Sequence, residues 1–516
     1  MACLRLFGRK TVCRQIRKRK KSMDTYTLEK ARAFEKEAEK QISPEDRPSF
    51  HLSPRCGWLN DPNGFSYYKG LYHLFYQYFP YNSQWGPMHW GHAVSKDLLH
   101  WTYLPCVIAP DSPYDQGGAF SGSGIALPDG RHLLMYTGLN ALQNVPGNDP
   151  WQFQNLAVGD GIDYVKYEGN PVLSPADLPE GSDPHDFRDP KIWRKEDGTY
   201  RAVAVGRASD GTGQVILFES PDAFHWKQKK ILLKNDGVYG IMWECPDFFT
   251  LDGKGVLLLS PMDMLPEGFE FHNGNGNLCL IGDYDGEDES FAPVSGQAID
   301  SGIDFYATQT ILAPDGRRIM ISWMQNPDGC TYRGNSKPWY GQMTLPRELF
   351  IRDGRLWQRP VRELEAMRSC PVSCRDVPVE GECLLEGVAG RRIDMTVKIR
   401  PMDPDHPYHK FILRFAMNEE FYTQLSFRYK ENVLKLDRKF SGTRRAVVNQ
   451  RRCLVRQRKE ELKLRVILDR YSVEVFINDG EQVMTALVYT DQEADQIMFY
   501  ADGSAVIDVE KYDLAD

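Results

Sequence analysis

Ser95-Lys-Asp-Leu-Leu-His-Trp101 returns later in the chain as Ser220-Pro-Asp-Ala-Phe-His-Trp226. Between them, Val158-Gly-Asp-Gly-Ile-Asp-Tyr164 keeps the aspartate and, four residues on, a large aromatic. Asp97, Asp160 and Asp222 are thus 63 and 62 residues apart. Asp285 follows after 63 more, its aromatic Phe291 two residues late, and Asp353 with Trp357 comes 68 residues further on. The last two matches are weak singly, and the regular spacing carries them. From Phe50 onward, short runs rich in Val, Ile, Tyr, Phe and Trp alternate with Gly, Asp, Asn and Pro clusters, an all-β texture. Five units of roughly one length in such a chain predict a five-bladed β-propeller, one unit per blade.

The repeat stops after about Pro360. Beyond it, strand-like runs at Ile393–Ile399, Lys410–Ala416, Phe421–Tyr429, Leu462–Leu468, Ser472–Ile477, Val483–Tyr489 and Ile497–Tyr500 predict a C-terminal β-sandwich. Val473, Val475 and Ile477 alternate with Ser472, Glu474 and Asn478, but Phe476 breaks the pattern. At the other end, residues 24–42 read as one short charged helix supported by i,i+4 pairs and ended by Ser43-Pro44. The expected division is a basic tail and short helix over 1–45, the propeller over 46–358 and the sandwich over 359–516.

Composition narrows the function classes. A chain of 516 residues is too long for one ordinary core. Its net charge of −8 offers no basic footprint for nucleic acid. Aromatics at 12% suit sugar stacking and a β-rich core equally. The 11 scattered cysteines are not a disulfide framework. Cys370, Cys374 and Cys383 cluster, but at no usual zinc spacing and with no histidine among them, so they read as reduced structural thiols. The basic stretch from Arg5 to Lys21 lacks the apolar run of a signal peptide and reads as an extension. No run of about 18 apolar residues exists to span a membrane, and a cytoplasmic protein is expected.

Trp58-Leu-Asn-Asp-Pro-Asn-Gly64, Phe120-Ser-Gly-Ser123, Arg188-Asp-Pro190 and Trp243-Glu-Cys-Pro246 are each bland alone, as turns or ion pairs. In this order they resemble glycoside hydrolase family 32, which contains invertases, sucrose-6-phosphate hydrolases and exo-acting fructanases. The likeness extends through His51, Tyr76-Gln77-Tyr78, the Trp85–His92 stretch, Asp304–Ala307, Met343–Glu348 and Asp469–Gly480, covering about residues 46–516. It implies the same propeller with an attached sandwich. Asp61, Ser121, Asp189, Glu244 and Tyr306 lie 60, 68, 55 and 62 residues apart, each 33 to 47 residues before its unit's repeated aspartate. Each motif therefore falls at a similar place in successive blades, and the five converge at one mouth of the channel.

The resemblance implies Asp61 as nucleophile, Glu244 as general acid and then base, and Asp189 as a transition-state stabiliser bonding sugar hydroxyls. It implies Asn60, Gln77, Trp85, Phe120, Ser121, Arg188, Tyr306 and Trp323 as the lining of a fructosyl pocket. Trp90 and Trp101 read as core. Residue types add expectations. The apolar neighbours of Glu244 would keep it protonated, Asn60 and Asn63 would favour an ionised Asp61, and Arg188 would hold Asp189 charged. Retention through a fructosyl-enzyme predicts carboxyl groups about 5–5.5 Å apart. No cofactor or metal is required, although His89 and His92 flank Trp90. The expected substrate is a small fructoside, sucrose or sucrose 6-phosphate, with Arg333 and Lys337 as candidate phosphate contacts. Exo-fructan hydrolysis, fructosyl transfer and non-catalytic carbohydrate binding are the alternatives. Oligomeric state is not readable.

Overall fold

A computed structural model describes residues 26–143, 145–330, 337–442, 447–455 and 461–515. The basic stretch from Arg5 to Lys21 and Arg333 lie outside the described residues. Five sheets succeed one another along the chain, each built on four antiparallel strands; the first gains a fifth strand, Trp339–Tyr340, from between the second and third strands of the last. Their first strands are Gly57–Tyr68, Gly118–Ala126, Asp183–Arg194, Trp243–Leu251 and Tyr306–Leu312, in blades I to V. Each packs against the first strand of the next blade, and that of blade V against that of blade I, so the five ring a central channel. The ring is also tied by Trp339–Tyr340, which leaves blade V to pair in parallel with Gly57 and Trp58. Trp58 and Tyr340 stack there at 4.6 Å.

The repeated aspartates make the hairpin between the third and fourth strands of each blade. The Oδ1 atoms of Asp97, Asp160, Asp222 and Asp285 each accept backbone N–H bonds from the residues two and three positions on. These are Asx turns, in which the side chain replaces a backbone acceptor. Blade V turns differently. Asp353 and Gly354 both have positive φ, 53° and 72°, between the paired residues Arg352 and Arg355. That is the two-residue Asp-Gly hairpin, so the fifth match kept its aspartate for another physical reason.

The helix Leu28–Ala38 is shorter than residues 24–42 and is followed by a 3-10 turn, Glu39–Gln41. Its charges serve tertiary contacts. Buried Glu35 accepts the Cys106 backbone N–H at 2.9 Å, and Arg32 bonds the Cys106 carbonyl and Asp163. The helix therefore caps the outer strand of blade I, and Glu35 is pushed up to about 7 by that burial.

After the 3-10 turn Arg362–Met367, the remaining strands form one sheet folded on itself as a sandwich. The long strand Gln496–Leu514 pairs with Lys410–Met417 through its first half and with Ile393–Pro401 through its second, passing from one layer to the other. Three strands escape the pattern reading. Arg368–Cys383 carries two prolines and three register breaks beside Gln496–Leu514. Val433–Asp437 and Gln450–Leu454 are short and charged. The break at Phe476 also has a cause. Ser472–Ile477 is buried on both faces, and Phe476, with Ile467 and Val483, joins the propeller's core rather than the sandwich's. The nine described cysteines are free thiols, and no described helix is long and apolar enough to cross a membrane.

A buried polar chain crosses this interface. His51 bonds Asp469 Oδ2 at 2.8 Å and Glu474 Oε1 at 2.9 Å. Arg347 donates to Glu474 Oε2, to Asp300 Oδ2 at 3.0 Å and to Thr485 Oγ1 at 2.7 Å. Burial works against a charged His51, but its two carboxylate partners prevail and raise it to about 9. Elsewhere burial holds His73 and His89 down at about 4 and His132 at about 3, and pushes His92 well below its ordinary value. The two groups act in opposite directions from the unfolded histidine value of about 6.5. Above it the unfolded chain releases a proton that His51 keeps until about 9, so stability falls as pH rises. Below it the unfolded chain takes up protons that the depressed histidines refuse, so stability falls again toward pH 4. Each group contributes a slope of about 1.4 kcal/mol per pH unit. Glu35, raised to about 7, offsets part of the acid flank because it keeps a proton that unfolded carboxyls lose. Urea unfolding across pH 5–9.5 is expected to give maximal stability between pH 6 and 7, falling on both sides; a flat profile would contradict this.

Candidate active site

Every first strand carries a register break at its motif. Asn60-Asp61 face Gln77 alone, Phe120-Ser121 face Thr137, Asp189-Pro190 face Ala204, and Cys245-Pro246 face Leu259. In blade V, Ala307 is the extra residue beside Tyr306. Such bulges re-aim side chains out of the alternating pattern. In blades III to V the extra residue is left-handed without being glycine: φ is 62° at Asp189, 50° at Cys245 and 52° at Ala307. Backbone strain concentrated at one end of the channel marks a site. Trp90 supports it from the core, its indole N–H donating to the Phe120 carbonyl at 3.0 Å.

The eleven residues picked from the sequence line one cavity of about 670 Å³ at that end. Asp61 is 3% exposed. Its Oδ1 accepts from Asn60 Nδ2 at 3.0 Å and Gln77 Nε2 at 2.7 Å, and its Oδ2 from Ser121 Oγ at 2.6 Å. The expected amide donors are there, yet burial outweighs them and raises the carboxyl above its ordinary value.

Two other electrostatic expectations need correction. Glu244 does not sit in an apolar setting. Trp243 turns into the core between blades, while Glu244 Oε2 accepts the Tyr306 hydroxyl at 2.7 Å and Oε1 the Arg188 Nε–H at 3.2 Å. Arg188 does not hold Asp189 charged. Its Nη1 is spent on Asp186 at 2.5 Å, and its Nε lies 3.9 Å from Asp189. Burial pushes Asp189 up to about 7, with Arg188 opposing and the Glu244 charge adding. The Cys245 backbone N–H, at 2.9 Å, and its thiol, at 3.7 Å, both donate to Asp189 Oδ2.

Trp85 stands half-exposed at the rim, edge-on to Phe120, and Trp323 closes the floor with its indole N–H on the Leu59 carbonyl. Asp186, Gln143, Gln152, Cys245, Met262 and Pro327 also line the cavity and were missed. Asp186 was the findable one: it stands two positions before Arg188 on one strand, hence on the same face. It bridges Arg188 and Arg207, whose Nε approaches to 2.5 Å. Lys337 is not here. It lies over the Tyr471 ring at 3.7 Å, in a separate cleft between propeller and sandwich. Of the histidines beside Trp90, His89 bonds the Pro87 carbonyl and His92 meets His73 at 3.0 Å.

Four carboxyl groups converge in a sugar-sized cavity: Asp61 held by three donors, Asp186 and Glu244 sharing Arg188, and Asp189 beside them. The models for the glycosyl hydrolases family 32 N-terminal and C-terminal domains match residues 51–360 and 363–515. The chain belongs to glycoside hydrolase family 32. A raffinose invertase of Escherichia coli is 38% identical over 472 residues, covering 89% of this chain and 93% of the relative. A sucrose-6-phosphate hydrolase of the same species is 36% identical, with the same coverage. Among solved structures, the family 32 β-fructofuranosidase of Bombyx mori superposes with a TM-score of 0.80 at 32% identity, over 94% of this chain and 98% of its own. A mutant of that protein was solved in complex with sucrose. This family 32 chain is accordingly a glycoside hydrolase.

Proposed function

We propose that this enzyme hydrolyses the terminal β-fructofuranosyl unit of sucrose with retention of configuration. The observation that carries the reading is the convergence of Asp61, Asp189 and Glu244 in one cavity. Asp61 attacks the anomeric carbon of the fructosyl unit while Glu244 gives a proton to the departing glycosidic oxygen. Asn60, Gln77 and Ser121 fix the attacking carboxylate, so its orientation is set before substrate arrives. Formation of the fructosyl ester removes the Asp61 charge. Glu244, left ionised by the proton it gave, then accepts a proton from the attacking water as the water oxygen displaces Asp61 from the anomeric carbon. Asp189 holds sugar hydroxyls whose bonds strengthen as the ring becomes cationic. The catalytic unit is residues 46–358, and residues 359–516 brace it. Direct readout of the product anomer by NMR tests the stereochemistry: β-fructofuranose released first supports retention, and inverted product sinks it.

The cavity's charge selects among fructosides. Asp61, Asp186, Asp189 and Glu244 line it, and Arg188, the cation among its described lining residues, is paired with Asp186 and Glu244. A phosphate enters such a site against repulsion. Fructose release from sucrose is therefore expected to exceed that from sucrose 6-phosphate by about tenfold or more in kcat/KM, a difference of about 1.4 kcal/mol. The relatives named for raffinose and for sucrose 6-phosphate bracket these two outcomes, and the reverse preference would reject the electrostatic reading.

A further inference from the structure

The propeller channel has a second mouth. The first strands run from the catalytic cavity to the opposite face, where a cavity of about 880 Å³ is lined by their far ends, among them Trp193, Phe249 and Thr310. Trp193 lies four positions beyond Asp189, and Thr310 four beyond Tyr306, so the two sites are about 13 Å apart along the strands.

Arg318 enters this cavity from the second strand of blade V. Its guanidinium lies 4.4 Å over the Phe249 ring and makes one long bond, from Nη1 to Thr310 Oγ1 at 3.4 Å. Its Nε is buried with no hydrogen-bond partner. Among the described residues, no carboxylate lies within ion-pair distance of it. Lys191, also lining the cavity, donates to the Thr310 carbonyl at 2.6 Å and lies 2.9 Å from Asp247 Oδ2. That oxygen also accepts the Thr310 backbone N–H at 2.6 Å. Asp247 Oδ2 is thus committed to Lys191 and the backbone, while its Oδ1 has no hydrogen-bond partner, and two largely buried cations face this single negative charge. Burial disfavours the charge on both, and Arg318 further lowers Lys191. An uncompensated buried cation costs several kcal/mol unless a counter-charge reaches it.

We propose that this distal mouth is a binding site for a small oxyanion, a phosphate or phosphomonoester, held by Arg318 and Lys191. The guanidinium offers a planar pair of donors that suits such a group. Lys191 adds a third donor beyond the two it has used, and Phe249 walls one side. Lys195 at the rim is paired with Glu289, and Glu196 and Asp197 stand beside it, which limits the ligand to a small anion rather than a polyanion. Bound there, the anion bridges blades III and V against blade IV and stabilises the ring by mass action.

Thermal unfolding of the whole chain at pH 7 tests this with inorganic phosphate, glucose 6-phosphate and chloride at matched ionic strength. Either phosphate species is expected to raise Tm saturably beyond chloride, by about 2 °C or more. Arg318→Met is expected to lose the rise and Arg318→Lys to keep part of it, while kcat/KM for sucrose is unchanged in both. A response to phosphate alone identifies the free ion, and a response to glucose 6-phosphate alone identifies an ester. No rise beyond chloride, or an undiminished rise in Arg318→Met, overturns the site. So does phosphate that competes with sucrose, since the anion would then be in the catalytic cavity. Should Arg318→Met not fold, calorimetric titration of phosphate into the wild-type enzyme saturated with fructose decides the matter: heat of binding there supports the distal site, and its absence rejects it.

Discussion

Glu244→Gln is expected to slow fructose release from sucrose by about 10²–10⁴-fold, the usual range for a missing general acid and base. The substitution keeps shape. A glutamine oxygen can still accept the Tyr306 hydroxyl or the Arg188 Nε–H, the two bonds that hold Glu244 in place. What it lacks is the proton for the leaving oxygen and, later, the base for water. Two further readouts separate these losses. A fructoside whose leaving group departs without protonation should recover much of the first step. Azide, which needs no base, should then attack the accumulated ester, forming fructosyl azide and freeing the Asp61 carboxylate. Asp61→Asn removes the attacking group itself, so neither the activated substrate nor azide should rescue it through a retained product. The pattern depends on the roles rather than on general damage to the cavity. A loss below about tenfold in Glu244→Gln, or equal azide rescue in both variants, would overturn the assignment.

The fold was legible because two independent periodicities agree. The Asx-turn aspartates mark the outer hairpin of each blade and the motifs mark the inner strand, so each confirms the period of the other. Asp353 matched for a different reason, a hairpin that needs two left-handed residues, which shows that spacing can survive a change of turn chemistry. The lining of the site was legible through motif order. Its electrostatics were not. Trp243, Cys245 and Pro246 are apolar neighbours in sequence, but a bulge at Cys245-Pro246 sends Trp243 into the core and leaves Glu244 facing Arg188 and Tyr306 from other blades. Arg188 adjoins Asp189 in the chain, yet it spends its charge on Asp186. On a strand adjacent residues point to opposite faces, so a neighbour in sequence is a poor guide to a charge partner. The same limit hid the distal site, whose cations stand on different blades. In the sandwich, Phe476 broke the alternation because its strand has a second apolar neighbour, the propeller, that no pattern within the sandwich could reveal.

Arg347→Met is expected to destabilise the protein by about 3–5 kcal/mol, the range for removing one member of a buried ion pair. Arg347 is fully buried, and its removal leaves Glu474 and Asp300 without their principal cation. The loss falls on the interface. Asp300 also accepts the Thr485 hydroxyl and backbone N–H, while the Ser301 and Ile303 backbone N–H groups donate to carbonyls of Val483 and Thr485. Residues 300–304 thereby cap the edge of the strand Gln482–Leu487, which otherwise presents unpaired backbone groups. Loosening Asp300 therefore weakens both the ion pair and that edge. Glu474→Gln alone is expected to cost a similar amount, because His51 and Arg347 both lose a charge partner. The double variant should cost clearly less than the two single losses together, since each single change strands a charge that the double change removes. Denaturant unfolding with the two single variants and the double closes the cycle. Additive losses would mean that Arg347 and Glu474 act as separate packing residues. Coupling of about 2 kcal/mol or more would make the chain from Asp469 through His51, Glu474 and Arg347 to Asp300 one cooperative tether. The propeller, whose first and fifth blades it anchors, would then depend on the sandwich for stability although, among the described residues, no sandwich residue lines the catalytic cavity.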